Sequence, residues 1–318
     1  MNRVLIFKKI AFFLWDQSCN NHFIFPLRHF VFKCCSKLGL GRSQKMVNLY
    51  EEIFSKINSG VRSEYVEIDG QKLFLDKEDS LLLSTRKNNF DRFEIECLKQ
   101  LIKEGDTVVD LGANIGYYTL ILAQLVGKSG HVYAFEPDPL NFEILSKNVK
   151  ENKHDNVTLV QKAISDKNGK VKLYVSKRNL ASHRIFDAED KRKSIEVDVT
   201  TLDEYFQKFE KPVNFIKMDV EGAEGATILG ASKIIEDSKN LVIMMEYFPK
   251  WIEKFGDVPE EILKSLIEKK FKLFNINKKN KKLDTILITN FVKEYNEQKK
   301  NYTNLLCIKG ENSQNTNN

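Results

Sequence analysis

Residues 108–120 read Val-Val-Asp-Leu-Gly-Ala-Asn-Ile-Gly-Tyr-Tyr-Thr-Leu. An apolar run that closes on an acid and passes through two glycines into a helix start makes a buried strand turn directly into a helix, the repeating unit of a parallel α/β sheet. Gly112 suits the bend, where a residue free to take left-handed backbone angles is needed. Gly116 lies four residues on, where a missing side chain lets backbone approach a ligand and lets the helix pack closely on the sheet.

The same glycines restrict what the turn can hold. A pyrophosphate on the helix N-terminus calls for three glycines in a G-x-G-x-x-G pattern, and a nucleoside triphosphate for a Gly-Lys-Ser/Thr ending; neither is present. An uncharged nucleoside with an amino-acid tail fits better. A second apolar run, Val132-Tyr133-Ala134-Phe135, closes on Glu136 and Pro137, 24 residues after Gly112. In a right-handed βαβ unit the end of the second strand lies beside the first turn, so this carboxylate can accept both hydroxyl protons of a ribose. Alone, Glu136 would read as a cap for the helix that begins near Leu140; beside the glycine turn, the ribose role is favoured.

Further apolar runs at 107–111, 157–160, 215–220, 241–247, 271–276, 283–289 and 304–308 alternate mostly with amphipathic stretches such as Leu140–Val149 and Ile262–Lys270. This alternation predicts an α/β fold, a mostly parallel sheet with helices on both faces. Shorter runs at 171–176 and 194–200, with the polar stretch Ser176–Lys193 between them, predict a hairpin-like excursion suited to a lid or to a solvated loop.

The third motif is Phe215-Ile-Lys-Met-Asp-Val-Glu-Gly-Ala-Glu224. Together with the Asp110 loop, the Phe135-Glu-Pro strand end and Thr201-Leu-Asp203, it resembles the FkbM family of S-adenosylmethionine-dependent methyltransferases over residues 90–250, with the motifs in the family's order. The resemblance implies a class I, Rossmann-like sheet of seven strands with an antiparallel edge, the last strands flanking residues 290–304. It implies S-adenosylmethionine as cofactor, with Asp110, Gly112, Asn114 and Gly116 around the methionine part, Glu136 on the ribose and Ala163 along the adenine. Phe93-Glu94-Ile-Glu96 resembles the family's Tyr-Glu-x-Glu entry, which leaves Glu94 either facing the pocket or on an exposed helix face. The activity implied is O-methylation of a hydroxyl on a sugar, a glycan or a secondary-metabolite scaffold.

Methyl transfer asks the protein to hold the acceptor in line and to dispose of its proton. Groups at the carboxyl ends of the strands face the ligand crevice of such a sheet. Asp219 after the fourth core strand and Glu246 at the end of the fifth are the acids best placed there, with Glu221 a third candidate catalytic residue. Glu224 reads as a residue that favours its helix N-terminus. Carboxylates at neighbouring strand ends could share Mg²⁺, but no spacing requires a metal and none is expected.

Charge divides the chain. Residues 1–50 carry eight Lys or Arg against Asp16 alone, whereas the whole chain is +6, so the remainder is near neutral. Residues 1–60 read as a basic, aromatic-rich helical lead-in, 61–310 as the catalytic domain and 311–318 as a polar tail. The lead-in suits an accessory cap, or peripheral contact with an anionic membrane face through residues 1–45. Its longest uncharged apolar stretch, Ile10–Trp15, is too short to span a bilayer, and no secretory signal is evident. The expectation is a cytoplasmic protein with a small-molecule or glycan acceptor and no nucleic-acid partner. Five cysteines without a C-x-x-C pair and five histidines without metal-ligand spacing fit reduced thiols and no zinc. Two alternatives stay open: an NAD-dependent oxidoreductase or epimerase, disfavoured by the missing third glycine, and a degenerate domain serving as a membrane-surface binding module.

Overall fold

The computed structural model describes residues 65–75, 92–176, 183–188, 191–209, 211–297 and 302–310. The chain divides into two compact units, residues 1–66 with 76–88 and residues 67–75 with 89–318. Of the first only Tyr65 and Val66 are described, so the basic lead-in at 1–60 lies outside the described residues, as does the tail at 311–318. Every other described residue belongs to the second unit.

Strands β1 (Tyr65–Ile68) and β2 (Gln71–Phe74) are joined through Asp69 and Gly70, both at positive φ. Helix α1 (Arg92–Leu101) then leads into β3 (Thr107–Leu111), α2 (Tyr117–Val126), β4 (His131–Phe135), α3 (Pro139–Glu151) and β5 (Val157–Val160). The excursion comprises β6 (Ala163–Ile164), β7 (Gly169–Val175) and β8 (Lys193–Thr200), and α4 (Leu202–Tyr205) returns the chain to the core. Next come β9 (Phe215–Met218), α5 (Glu224–Leu229), α6 (Ser232–Asp237), β10 (Leu241–Tyr247), α7 (Pro249–Phe255) and α8 (Pro259–Glu268). The described chain ends with β11 (Lys272–Asn277), β12 (Lys282–Thr285), α9 (Ile288–Glu297) and β13 (Thr303–Lys309).

The main sheet has the order β12-β11-β13-β10-β9-β3-β4-β5. From β10 through β5 neighbouring strands are parallel, whereas β13 runs antiparallel to both β10 and β11. Seven strands from β11 to β5 make the expected class I sheet; β12 adds an eighth at the edge by pairing antiparallel with β11. The reversed strand β13 is therefore internal, and the antiparallel edge is β12. The apolar run at 283–289 does not stay extended: β12 ends at Thr285, and Ile288, Phe291, Val292 and Tyr295 recur at helical spacing in α9. Phe291 and Tyr295 pack on the Tyr247 ring, their centroids 5.7 and 6.1 Å away.

β3, β9 and the first five residues of β10 are buried throughout, as strands covered on both faces must be. On one face Leu98, Leu122 and Val126 from α1 and α2 pack on Val108, Phe215 and Val242. On the other, Ile228, Ile235, Ile252, Leu263 and Phe291 pack on Val109, Ile216 and Ile243. The excursion forms its own three-stranded sheet, order β6-β8-β7, closed by Ala163, Leu173, Val197 and Val199. Cys97 and Cys307 are buried free thiols. No helix among the described residues is long and apolar enough to cross a membrane.

The connection from β3 goes to β4 on one side, while β9 enters on the other. Chain connections diverge between β3 and β9, which opens a crevice at the carboxyl ends of these strands.

Candidate active site

A solvent-open cavity occupies that crevice. Leu111, Gly112 and Asn114 line it from the end of β3, Phe135 and Glu136 from β4, and Asp219, Val220 and Glu221 from β9. Backbone bonds lock these ends together: the N–H groups of Gly112 and Ala113 both donate to Phe135 O, and Asp219 N–H donates to Leu111 O. Gly112 has φ +73°, and an added Cβ would stand 2.0 Å from Asp219 O. Only glycine fits between the turn and β9.

Glu136 is buried, with Oε2 accepting the Asn114 N–H at 2.8 Å and Oε1 the Asp138 N–H at 2.9 Å. The Asn141 side chain hydrogen-bonds to the same carboxylate, and of its about four acceptor positions one is left for a further donor. Burial pushes its pKa up to about 7, against the pull of those two N–H groups. Capping of the following helix falls instead to Asp138, whose Oδ1 accepts from Leu140 N and Asn141 N ahead of α3, with Pro139 at its first turn. Ala163 lines the cavity from β6, with Lys162 and Ile164 beside it.

Asp110 and Gly116 do not line the cavity. Asp110 is fully buried and accepts from Thr119 Oγ1 at 2.6 Å, tying β3 to α2. Gly116 begins α2 at φ +96°, where a Cβ would stand 2.8 Å from Leu145 Cδ1. Both fix the turn rather than face the cavity.

Asp219, Glu221 and Glu246 are brought together: each offers a carboxylate oxygen, and these atoms all lie within 4.8 Å of one another. Glu246 does not line the cavity; it lies in β10 opposite Asn304 of β13. Burial raises its pKa to about 10, helped by Asp219, Glu221 and Glu224. Burial likewise raises Glu221 to about 8, again with Asp219 and Glu224 repelling its charge. Glu221 adopts φ +54°, a left-handed conformation uncommon for residues with a Cβ. Glu224, buried in the first turn of α5, accepts from Gly222 N at 3.2 Å, the local role its position predicts. Glu94 neither lines the cavity nor sits on an exposed face: it is fully buried, bonded to Asn304 Nδ2 at 3.0 Å and paired with Lys278.

Sequence reasoning passed over Lys217. Its ammonium lies 3.0 Å from Asp219 Oδ2 and 4.8 Å from the Tyr118 ring centroid. Burial would push its pKa down, but Asp219, Asp110 and Glu246 more than offset this and hold it above the ordinary lysine value. A lysine inside an apolar strand, two residues before an acid and level with Asp110 on β3, was the available signal. Asn141 and His183 also line the cavity; only the length of the polar excursion hinted at His183.

These residues fit S-adenosylmethionine. The glycine turn gives a ligand close access to backbone, and Glu136, a buried carboxylate on the cavity wall, offers an acceptor for hydroxyl donors.

The methyltransferase FkbM domain matches residues 110–273, more than half of the chain. The chain is 32% identical over 104 residues to ribosomal protein L11 methyltransferase of Anoxybacillus flavithermus, covering 32% of this chain and 33% of that protein. It is 43% identical over 61 residues to protein-L-isoaspartate O-methyltransferase of Methanosarcina mazei, covering 19% and 24%. The matched segment spans about a third or less of the length of these curated relatives. Methyltransferase FkbM from Methylobacillus flagellatus superposes with a TM-score of 0.41 at 18% identity, over 65% of this chain and 44% of that one. By the domain match, the chain belongs to the FkbM family of methyltransferases, with S-adenosylmethionine as its cofactor.

Proposed function

We propose that this methyltransferase O-methylates a hydroxyl of a sugar, a glycan or a secondary-metabolite scaffold, with the cofactor in the cavity between β3, β4 and β9. One observation carries the reading: the carboxylates of Asp219, Glu221 and Glu246 gather within 4.8 Å at the strand ends beside the cavity. A carboxylate at such a strand end accepts a hydroxyl proton.

When bound, S-adenosylmethionine supplies a methyl group already activated by its sulfonium. Gly112 and Asn114 hold the methionine part through backbone approach, Glu136 binds a ribose hydroxyl, and Ala163 lines the adenine. Asp110 and Gly116 act on the methionine part indirectly, by fixing the turn. Asp219 takes the proton of the acceptor hydroxyl, with its carboxylate held in place by Lys217 at 3.0 Å. Glu246 stands behind Asp219 and Glu221, where the proton it keeps at neutral pH, with its pKa raised to about 10, limits the negative charge gathered at the strand ends. Glu221 becomes a second proton acceptor as pH rises through about 8.

On this reading residues 61–310 form the catalytic domain, and the basic lead-in, through residues 1–45, is left for contact with a membrane-bound acceptor. An acceptor screen with labelled S-adenosylmethionine tests it, with hydroxylated sugars in one arm, proteins in a second and RNA in a third. Transfer to a sugar hydroxyl is expected; transfer only to protein or RNA would overturn it.

A further inference from the structure

One wall of the cavity comes from outside the main sheet. His183 and Ile185 line it from the excursion between β7 and β8. This segment is tied down at both ends. Arg184 and Tyr174 exchange backbone bonds of 3.2 and 2.7 Å, the Arg184 guanidinium carbon stands 3.9 Å from the Trp251 ring centroid, and Lys254 Nζ donates to Ala188 O at 3.1 Å. A side chain presented from such a support is held in place before any ligand arrives.

The His183 ring is oriented by the Ser176 N–H, which donates to Nδ1 at 3.0 Å. A nitrogen that accepts carries no proton, so the neutral ring bears its hydrogen on Nε2. Burial pushes the imidazole pKa below its ordinary value, with Asp138 opposing and Arg192 adding to the effect, so the ring is neutral. Nε2 is buried without a hydrogen-bond partner. The Asp138 carboxylate stands 3.8 Å away, beyond hydrogen-bond length. A buried donor without an acceptor is unfavourable and uncommon in folded proteins. Here it borders the cavity, next to the residue whose N–H fixes Glu136 Oε1 at 2.9 Å.

We infer that His183 is a cofactor-binding residue whose Nε2–H donates to a ribose hydroxyl oxygen, while Glu136 accepts that hydroxyl's proton. The inference rests on the cofactor reading of the cavity. It makes the excursion part of the nucleoside site.

Calorimetric titration of S-adenosylhomocysteine into the full chain tests both levels. The wild type is expected to bind, His183→Phe to bind about tenfold more weakly, and His183→Gln, which keeps an N–H donor, to recover part of the loss. 5′-Methylthioadenosine, which has the nucleoside without the amino-acid tail, should show the same ratio between variants. Should His183→Phe melt below the assay temperature, His183→Asn replaces it, with loss of affinity again expected from its shorter reach. Wild-type binding with unchanged affinity in folded variants would overturn the role of His183 alone. Absence of wild-type binding would overturn the cofactor reading and this inference with it.

Discussion

The backbone N–H of Asn114 donates to Glu136 Oε2 at 2.8 Å. The glycine turn after β3 and the carboxylate after β4 are thereby one unit, so a change at either position is felt at both. Asn114 itself sits at φ +52°, a backbone state that asparagine tolerates better than most residues.

Glu136→Ala is expected to weaken S-adenosylhomocysteine binding about 10- to 100-fold, because a charge-assisted hydroxyl bond is lost. Calorimetry on the folded variant checks this, and unchanged affinity would remove Glu136 from the ribose site.

The Glu136 pKa also sets a pH dependence. Its folded-state value is raised from 4.5 to about 7. In the ligand-free protein its contribution to stability is therefore full below about 4.5 and lost as pH rises through about 7. Hydroxyl donors favour the ionised form, so cofactor affinity should rise between pH 6 and 8. The trend should vanish in Glu136→Gln.

Asp219→Asn should lower kcat by about 10²- to 10⁴-fold while leaving cofactor affinity nearly intact, as expected when a proton acceptor is lost. A matching loss of cofactor affinity would instead make Asp219 a binding residue.

Lys217 supplies the cation for the acidic strand ends. Lys217→Met should leave the buried Asp110 and the part-exposed Asp219 without their counter-charge and destabilise the protein, by less than the about 3–5 kcal/mol of a fully buried pair because the Asp219 side chain is 38% exposed. An ammonium 3.0 Å from Asp219 also repels a divalent ion, so chelation with EDTA should leave turnover unchanged. Activity that returns only with Mg²⁺ would show that the three carboxylates hold a metal.

Much of this site was legible because its chemistry is local in sequence. The glycine turn, Glu136 and Asp219 each follow an apolar run, and a parallel sheet brings all such ends to one edge. Less legible were features set by contacts distant in sequence. Gly116 reads as a glycine for ligand approach or for close helix packing, and the packing contact that decides it is Leu145, 29 residues away. Glu94 is paired with Asn304 across 210 residues, which no local pattern announces. The run at 283–289 satisfies strand and helix periodicities together over so short a length, and packing against Tyr247 decides for helix from Ile288 onward.

Whether the cavity between β3, β4 and β9 takes an S-adenosyl nucleoside is decided by isothermal titration of the purified protein with S-adenosylhomocysteine, with NADH as control. One micromolar site for the former and none for the latter is expected. Binding of NADH, or of neither ligand, would contradict the cofactor assignment.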